Sequence, residues 1–235
     1  MNRWLSLSLV LAVTALVGSS YLYAYHRQNW PPMVPIHWGI DGKPDGFAPG
    51  DSWGLFLGVP LLMLGWVGLT LLLPWLSPKS FAIEPFRSTY DYTMVLVSVF
   101  FLYLHGVLLF GAVRPPEHVA VWLLSGVFLL FALLGNVLGK IRRNFWIGIR
   151  TPWTLADDGV WNVVHRQAAY IYTLAGAIGF VAVLAGVNFI ALFVAFMVAV
   201  LWPVIYSLIV YKHRERNGLL SPTPDDGLEA TPPGP

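Results

Sequence analysis

Cysteine is absent from the 235-residue sequence. Its absence excludes disulfide bonds, thiolate zinc sites and cysteine-ligated iron–sulfur clusters. Charged residues are also scarce, at 11% of the chain against 57% hydrophobic residues. A water-soluble domain carries about 25% charged residues, so the composition indicates a protein that lies in a membrane.

The hydrophobic residues are concentrated in long blocks rather than in alternating patterns. Six blocks have this character: Trp4–Tyr25, Trp53–Leu76, Tyr92–Val113, Val119–Gly139, Ala168–Gly186 and Phe189–Tyr211. A helix needs about 20 apolar residues to cross the bilayer hydrocarbon. The pattern therefore predicts an all-α polytopic membrane protein with six transmembrane helices, the last two joined by a tight hairpin. We interpret the first block as a retained helix rather than a cleaved signal peptide.

Lysine and arginine are distributed unevenly among the loops. Of the 14 basic residues, only Arg27, Lys43 and Arg114 lie in loops one and three, counted from the N-terminus. Basic residues accumulate on the cytoplasmic side of membrane proteins. This predicts that both termini and the loop before the fifth helix are cytoplasmic, and that the long loop 26–52 faces outward.

Asp, Glu, Lys and Arg are missing from all six hydrophobic blocks, which weighs against a proton- or sodium-coupled pump. Two polar residues remain as intramembrane candidates, His105 in the third block and Asn136 in the fourth. We expect a neutral His105 that hydrogen-bonds to a neighbouring helix, with proton chemistry as the alternative. Asn136 is expected to hold helices together.

The outward loop combines prolines, tryptophans and turn residues. Asp41-Gly42 and Asp45-Gly46 are turn-forming pairs, so we expect a small ordered cap on the membrane. The His and Asp spacing matches no established metal motif, and we predict no metal site. The candidate binding residues of this outer loop are Trp30, Pro35, His37, Trp38, Gly39, Gly42, Pro44 and Asp45.

The loop between the fourth and fifth blocks reads N-F-W-I-G-I-R-T-P-W-T-L at Asn144–Leu155 and V-W-N-V-V-H-R at Val160–Arg166. A simple connector needs far fewer aromatic and basic residues. Thr154 and Asp157 stand at the spacing of a helix-capping box, which predicts a short amphipathic helix at the inner membrane surface. The candidate binding residues of this inner motif are Asn144, Gly148, Arg150, Thr151, Pro152, Trp153, Asp157, Trp161, His165 and Arg166.

Three interpretations of the inner motif remain open. The apolar face of the predicted helix contains Val160, Trp161 and Val164. As a scaffold, the motif would pair Arg150 with Asp157 or Asp158. As an enzyme, it would use His165 as a general base and arginine to bind phosphate, but no recognisable nucleophile or phosphate loop accompanies them. We favour the third interpretation, a binding surface for a peptide, lipid or protein, and predict that the protein is not an enzyme.

These motifs resemble the SdpI family, named for the immunity protein against a sporulation-delaying toxin. The segment P-x-H-W-G-x-x-G-x-P-D-G at Pro35–Gly46 resembles a domain of unknown function that often forms the N-terminal part of such proteins. The segments N-x-x-I-G-x-R-T-P-W-T-L and V-W-x-x-x-H-R resemble the family itself. The resemblance implies an N-terminal part at residues 1–113 and an SdpI-like part at 114–216. Residues 217–235 lie outside it, and their content of Pro, Gly, Asp and Thr predicts a disordered cytoplasmic tail.

The resemblance also implies a function. Members of the family are multi-pass proteins of the bacterial cytoplasmic (inner) membrane that protect the cell from a secreted antimicrobial peptide, and the resemblance implies the same role here. The implied partners are membrane lipid, a peptide toxin and a cytoplasmic transcriptional regulator, with no cofactor and no direct binding of nucleic acid. One alternative is a transporter or flippase for peptide or lipid. The other is a membrane enzyme that uses Arg150 and His165.

Overall fold

The computed structural model describes residues 3–113 and 116–221. Its helices are α1 (Arg3–His26), α2 (Trp53–Leu76), α3 (Arg87–Gly111), α4 (Pro116–Leu138), α5 (Pro152–Ala156), α6 (Asp158–Leu184) and α7 (Phe189–Arg216). All of these except α5 are long and apolar enough to cross a membrane, which confirms the polytopic helical fold. The orientation of the chain across the membrane stays a prediction, and the predicted third loop lies partly outside the described residues.

The outward loop forms a β-hairpin rather than an irregular cap. Strand β1 (Met33–Trp38) pairs antiparallel with β2 (Pro44–Pro49). The turn between them needs a residue in the left-handed region, and Gly42 supplies it with φ 77°. Val34 of β1 is fully buried against the outer end of α2. The cap is therefore ordered, as predicted, and it is fixed to the helices at its base.

The helices pack in two groups, α1 with α2 and α3, and α4 with α6 and α7, and the two groups meet along α3 and α4. Helices α4 and α6 approach closely because glycine stands at their contact. A Cβ at Gly135 would lie 2.5 Å from the backbone nitrogen of Thr173, and one at Gly176 would lie 2.4 Å from that of Ala132. Small residues are the usual means of close helix contact in membranes.

Asn136, which the sequence placed between helices, is exposed. That prediction was wrong because its neighbour Gly135 occupies the contact face of α4, and the next residue of a helix points about 100° away.

Helix α6 begins earlier than its hydrophobic block. The Asp157 side chain accepts the backbone N–H of Val160 at 2.8 Å and caps the helix. Val160, Trp161 and Val164 consequently lie on the first turns of α6, fully buried. The inner-loop helix exists only as the five-residue α5, so the predicted apolar face belongs to the membrane helix instead.

The chain after α7 folds back onto the protein. The backbone N–H of Ser221 donates to Asp157 Oδ2 at 2.8 Å, and Leu220 packs against the core at the inner ends of the helices. The predicted disorder of the tail is therefore wrong for Leu220 and Ser221, because these two residues contact the folded part of the chain. Residues 222–235 lie outside the described part of the chain.

Candidate functional site

Asn144 closes the first turn of the inner motif with its side-chain amide. Its Oδ1 accepts the backbone N–H groups of Trp146 and Ile147, both at 2.8 Å. Its Nδ2 donates to the carbonyls of Arg142 and Ile147 at 2.9 and 3.0 Å. The side chain is fully buried, so all of its hydrogen bonds serve the loop itself. Asn144 shapes the site rather than contacting a ligand.

His165 is held at both ring nitrogens. The backbone N–H of Ile149 donates to Nε2 at 3.0 Å, and Nδ1–H donates to the carbonyl of Trp161 at 2.9 Å. The imidazole stacks on the Trp161 indole with 3.9 Å between ring centroids. Both side chains are almost fully buried. His165 is thus a neutral structural residue here, and the enzyme interpretation loses its general base.

Gly148 permits this arrangement. Its φ of 107° lies in the left-handed region, and a Cβ there would stand 2.5 Å from His165 Nε2. Any side chain would push the loop away from α6. The glycine of the motif is therefore required by backbone geometry and close approach.

Thr151 and Thr154 join the inner motif to α5 and α7. The two residues form a reciprocal capping box on α5, with Pro152 at its first turn. Thr151 Oγ1 also hydrogen-bonds to Ser207 Oγ of α7 at 3.0 Å. The capping box therefore runs from Thr151 to Thr154, not from Thr154 to Asp157 as the sequence suggested. Ser207 was not identified from the sequence because a lone serine in a hydrophobic block carries no distinguishing signal.

Asp157 is the charged centre of the inner face. Its side chain is 2% exposed, and Arg214 of α7 lies beside it with Nε 3.2 Å from Oδ1. Burial acts to raise the pKa of the Asp157 carboxyl, but hydrogen bonds from Ser221 and Val160 and the charge of Arg214 outweigh it and lower the pKa. This carboxylate therefore joins α6, α7 and the C-terminal segment.

Arg150 does not make the ion pair that the scaffold interpretation would give it. Asp157 pairs with Arg214, and Asp158 pairs with Arg143 at 2.7 Å. Arg150 is exposed, and its guanidinium donates to the carbonyl of Phe145 at 2.6 Å. That pairing, which belonged to the scaffold interpretation, is wrong because both carboxylates at the start of α6 meet other arginines.

The inner motif therefore divides into two sets. Asn144, Thr151, Asp157, Trp161 and His165 are buried and hold the loop, whereas Arg150, Pro152 and Arg166 are exposed and Trp153 is half-buried. Beside Arg150, the Phe145 side chain is 44% exposed. The exposed set is the part of the motif that a partner can reach.

One ion pair at the inner end of α3 was missed by sequence reasoning. Arg87 Nε donates to both oxygens of Asp91, at 2.9 and 3.0 Å, and Asp91 is 2% exposed. The i, i+4 spacing of opposite charges just before a hydrophobic block was the available signal. The pair begins the third membrane helix five residues ahead of the predicted block.

The candidate binding residues of the outer loop also divide into residues that hold the fold and residues that are exposed. Trp30 packs edge-on against Phe56, with ring centroids 5.0 Å apart, and anchors the hairpin to the helices. His37 is exposed, and its Nδ1 lies 2.5 Å from Asp45 Oδ1. Pro35 and Pro44 are strand residues of the hairpin. In the described part of the chain, no three His, Asp or Glu side chains come together as metal ligands.

A cavity of about 620 Å³ lies beneath the hairpin. His37, Trp38, Gly39, Gly42 and Asp45 contribute to its lining from the hairpin. The opposite wall comes from the outer ends of α4 and α7. Five of the eight outer candidates thus share one cavity, which the sequence could not indicate because its other wall lies some 80–150 residues away along the chain.

His105 accepts or donates one hydrogen bond within the helix bundle. Its Nε2 lies 2.6 Å from Ser19 Oγ of α1, and its side chain is 3% exposed. The expected hydrogen bond to a neighbouring helix is therefore confirmed. The partner is a serine that the sequence did not single out.

Comparisons with known proteins match two segments of the chain. Residues 140–207 match the family model described as the SdpI/YfhL protein family, and residues 9–64 match a domain of unknown function, DUF1648. The chain is 25% identical to Immunity protein SdpI of Bacillus subtilis (strain 168) over 172 residues, which cover 73% of this chain and 77% of that protein. No solved structure matches. The resemblance to the SdpI family is therefore confirmed: the chain is a multi-pass membrane protein with an SdpI-family segment at residues 140–207 and a DUF1648 segment at residues 9–64.

Proposed function

We propose that this protein is a non-enzymatic immunity protein that protects its cell from a secreted antimicrobial peptide. The observation that carries the proposal is the similarity to Immunity protein SdpI, which extends over 73% of the chain. That similarity includes more than the membrane helices, because the family segment contains the whole inner motif from Asn144 to Arg166.

The outer hairpin supports a peptide ligand. Its exposed side chains include large apolar ones: Met33, Ile36, Ile40 and Phe47, each 45–54% exposed. Exposed apolar residues concentrated on a rigid hairpin favour contact with an amphipathic molecule at the membrane surface. A secreted peptide that attacks the membrane from outside arrives at this surface. Lipid headgroups are the competing occupant.

A second role, signalling to a cytoplasmic transcriptional regulator, is favoured by the position of α7. Its first residues border the outer cavity, and its other end is joined to the inner motif through Ser207 and Arg214. A displacement of α7 by an outer ligand would move the contacts of Thr151 and Asp157. The exposed surface at Phe145 and Arg150 would then meet the regulator, so the protein itself needs no contact with nucleic acid.

The transporter and enzyme alternatives have weaker support. A coupled transporter needs an ionisable group free to exchange its proton or ion, whereas Asp91 is paired with Arg87 and His105 with Ser19. An enzyme that uses Arg150 and His165 needs them together, whereas His165 is buried with both nitrogens engaged and Arg150 is exposed.

Protection is tested by expression in a sensitive host challenged with the sporulation-delaying toxin peptide. The wild-type chain should raise survival, and the double variant His37→Ala/Trp38→Ala should lose this effect while accumulating normally in the membrane. The matched control is His213→Ala/Trp75→Ala, which removes the same residue types at exposed positions on the inner ends of α7 and α2. If wild type gives no protection, the proposal fails. If wild type and both double variants protect fully, the outer hairpin is not where the peptide is recognised, and protection depends on the inner motif.

A further inference from the structure

The two family segments meet at the outer cavity. Its roof is the hairpin, which lies in the DUF1648 segment, and part of its floor is the start of α7, which lies in the SdpI segment. The hairpin is held at both ends. Val34 anchors its base in the core beside Phe56, and a Cβ at the tip residue Gly42 would touch the ring of Phe189 at 3.3 Å. The roof therefore spans a space that the helices do not fill.

The cavity is apolar inside. The hairpin contributes Ile36 and Ile40, α4 contributes Leu123 and Val127, and α7 contributes Phe193. The wall residues Ile36, Ile40 and Phe193 are 41–50% exposed. Cavities of about 300–1,000 Å³ with apolar walls and a few polar groups are the usual form of a ligand site, and this one has about 620 Å³.

Two carboxylates of the hairpin stand beside its mouth. Asp41 Oδ1 and Asp45 Oδ2 converge on Gly39 from two sides, at 3.1 and 3.3 Å from the point where a Cβ of Gly39 would stand. Gly39 has no side chain to cover them. Each carboxylate has one oxygen engaged: Asp45 Oδ1 lies 2.5 Å from His37 Nδ1, and Asp41 Oδ1 accepts the backbone N–H of Lys43 at 3.1 Å. The Lys43 ammonium is 3.8 Å from Asp41 Oδ2, and its side chain is 82% exposed. A cation entering beside Trp38 would therefore meet two carboxylates next to an apolar space.

We propose that this cavity binds a large apolar side chain of a cationic amphipathic peptide, with an adjacent lysine or arginine of that peptide at Asp41 and Asp45. The inference rests on the proposed immunity function and assigns it a site. The apolar floor takes the side chain, and Trp38 offers a flat surface at the entrance. A lipid tail would use the floor, but the phosphate of its headgroup would be repelled by the two carboxylates.

Binding is measured with purified protein in nanodiscs of neutral phosphatidylcholine. The probe is a fluorescein-labelled octapeptide of alternating Trp and Lys, read by fluorescence anisotropy with the signal of empty nanodiscs subtracted. Wild type should bind it saturably. Leu123→Trp, which fills the cavity from α4, should lower the affinity by at least about ten-fold. Leu201→Trp is the control because Leu201 is 55% exposed and outside the cavity lining.

A second variant controls for the possibility that Leu123→Trp weakens binding by misfolding. Val127→Phe fills the same space with a smaller change and should weaken binding in the same direction, while both variants elute as monodisperse particles. If both filled variants bind the probe like wild type, or if wild type binds no more than empty nanodiscs, the cavity is not the site.

The charge at the mouth has its own test. Asp41→Asn/Asp45→Asn should lower affinity for the lysine probe by roughly two- to five-fold, since both carboxylates are partly exposed and screened. Asp51→Asn, an exposed outer carboxylate outside the lining, should have no effect. An octapeptide of Trp and Glu should not bind wild type. Equal binding of the Lys and Glu probes contradicts the cation site.

The survival assay separates this inference from the proposed function. If wild type protects cells and Leu123→Trp protects equally well, the cavity inference fails and the immunity function stands. If wild type gives no protection while the filled variants still lose the probe, the immunity function fails and the peptide site stands.

Discussion

Asp157 and Arg214 form an ion pair that joins the beginning of α6 to the end of α7, with 3.2 Å between Oδ1 and Nε. The arginine also donates from Nη2 to the carbonyl of Leu219, which returns the chain toward Asp157. These contacts join two consecutive membrane helices and the segment after them at one point on the inner face. The sequence gap of 57 residues between the partners makes this contact invisible to local pattern analysis.

Arg214→Gln should destabilise the protein by about 1–3 kcal/mol, because it leaves a buried carboxylate without its countercharge. The loss stays below that of a fully buried pair since the Arg214 side chain is 25% exposed. Thermal unfolding in detergent measures the effect. Arg216→Gln, an exposed arginine two residues later, is the control and should unfold like wild type.

The Asp157 carboxyl should make stability depend on pH in the acid range. Its pKa is lowered in the folded protein, so its contribution is fully present above the ordinary pKa of about 4 and is lost as the pH falls through the folded value. The difference in melting temperature between wild type and Asp157→Asn should therefore be constant from pH 7 to 5 and shrink toward pH 3. Asp158→Asn serves as the exposed control, and a constant difference down to pH 3 would contradict the prediction.

Gly148→Ala should cost at least about 2 kcal/mol, because the residue has positive φ and its Cβ would collide with His165. Gly139→Ala is the matched control, since its Cβ would find its nearest neighbour at an ordinary 3.7 Å. Accumulation in membranes and thermal unfolding report both effects. Equal stability of the two variants would show that the loop does not need glycine at position 148.

His105 and Ser19 should act as one hydrogen-bonded unit. His105→Leu should cost about 1–2 kcal/mol because it leaves the buried Ser19 hydroxyl without this partner. His105→Gln keeps a hydrogen-bonding side chain and should preserve both stability and protection. In a double-mutant cycle, Ser19→Ala should add little to His105→Leu. Loss of protection in His105→Gln, together with protection by the wild type that changes with pH, would instead indicate proton chemistry.

Arg150→Ala should separate folding from function. The side chain is exposed and donates to one backbone carbonyl, so stability should fall by less than about 1 kcal/mol. Signalling through the inner face should weaken if Arg150 contacts the regulator, which co-purification from membranes would measure. Arg142→Ala is a matched exposed control in the same loop. A large loss of accumulation in Arg150→Ala would mean that the residue is structural after all.

The long hydrophobic blocks determined much of this protein by themselves. Every long apolar block is a helix, because the bilayer leaves the backbone no other way to satisfy its hydrogen bonds. The Asp41-Gly42 pair likewise predicted the turn of the outer cap, since the backbone geometry of a tight turn is a local property. The family resemblance could also be recognised from the sequence, because it depends on motifs of residues that are adjacent in the chain.

Only the tertiary structure decided what each motif residue does. Asn144 and His165 were candidates for binding, yet both are buried with their polar atoms engaged. The ion pair with Asp157 that the scaffold interpretation gave to Arg150 is made by Arg214 instead. The outer cavity needs the hairpin and two distant helices at once. Spacing along the chain determines which residues share a helix face. Which residues become partners between helices depends on how those faces pack, and local spacing does not determine that packing.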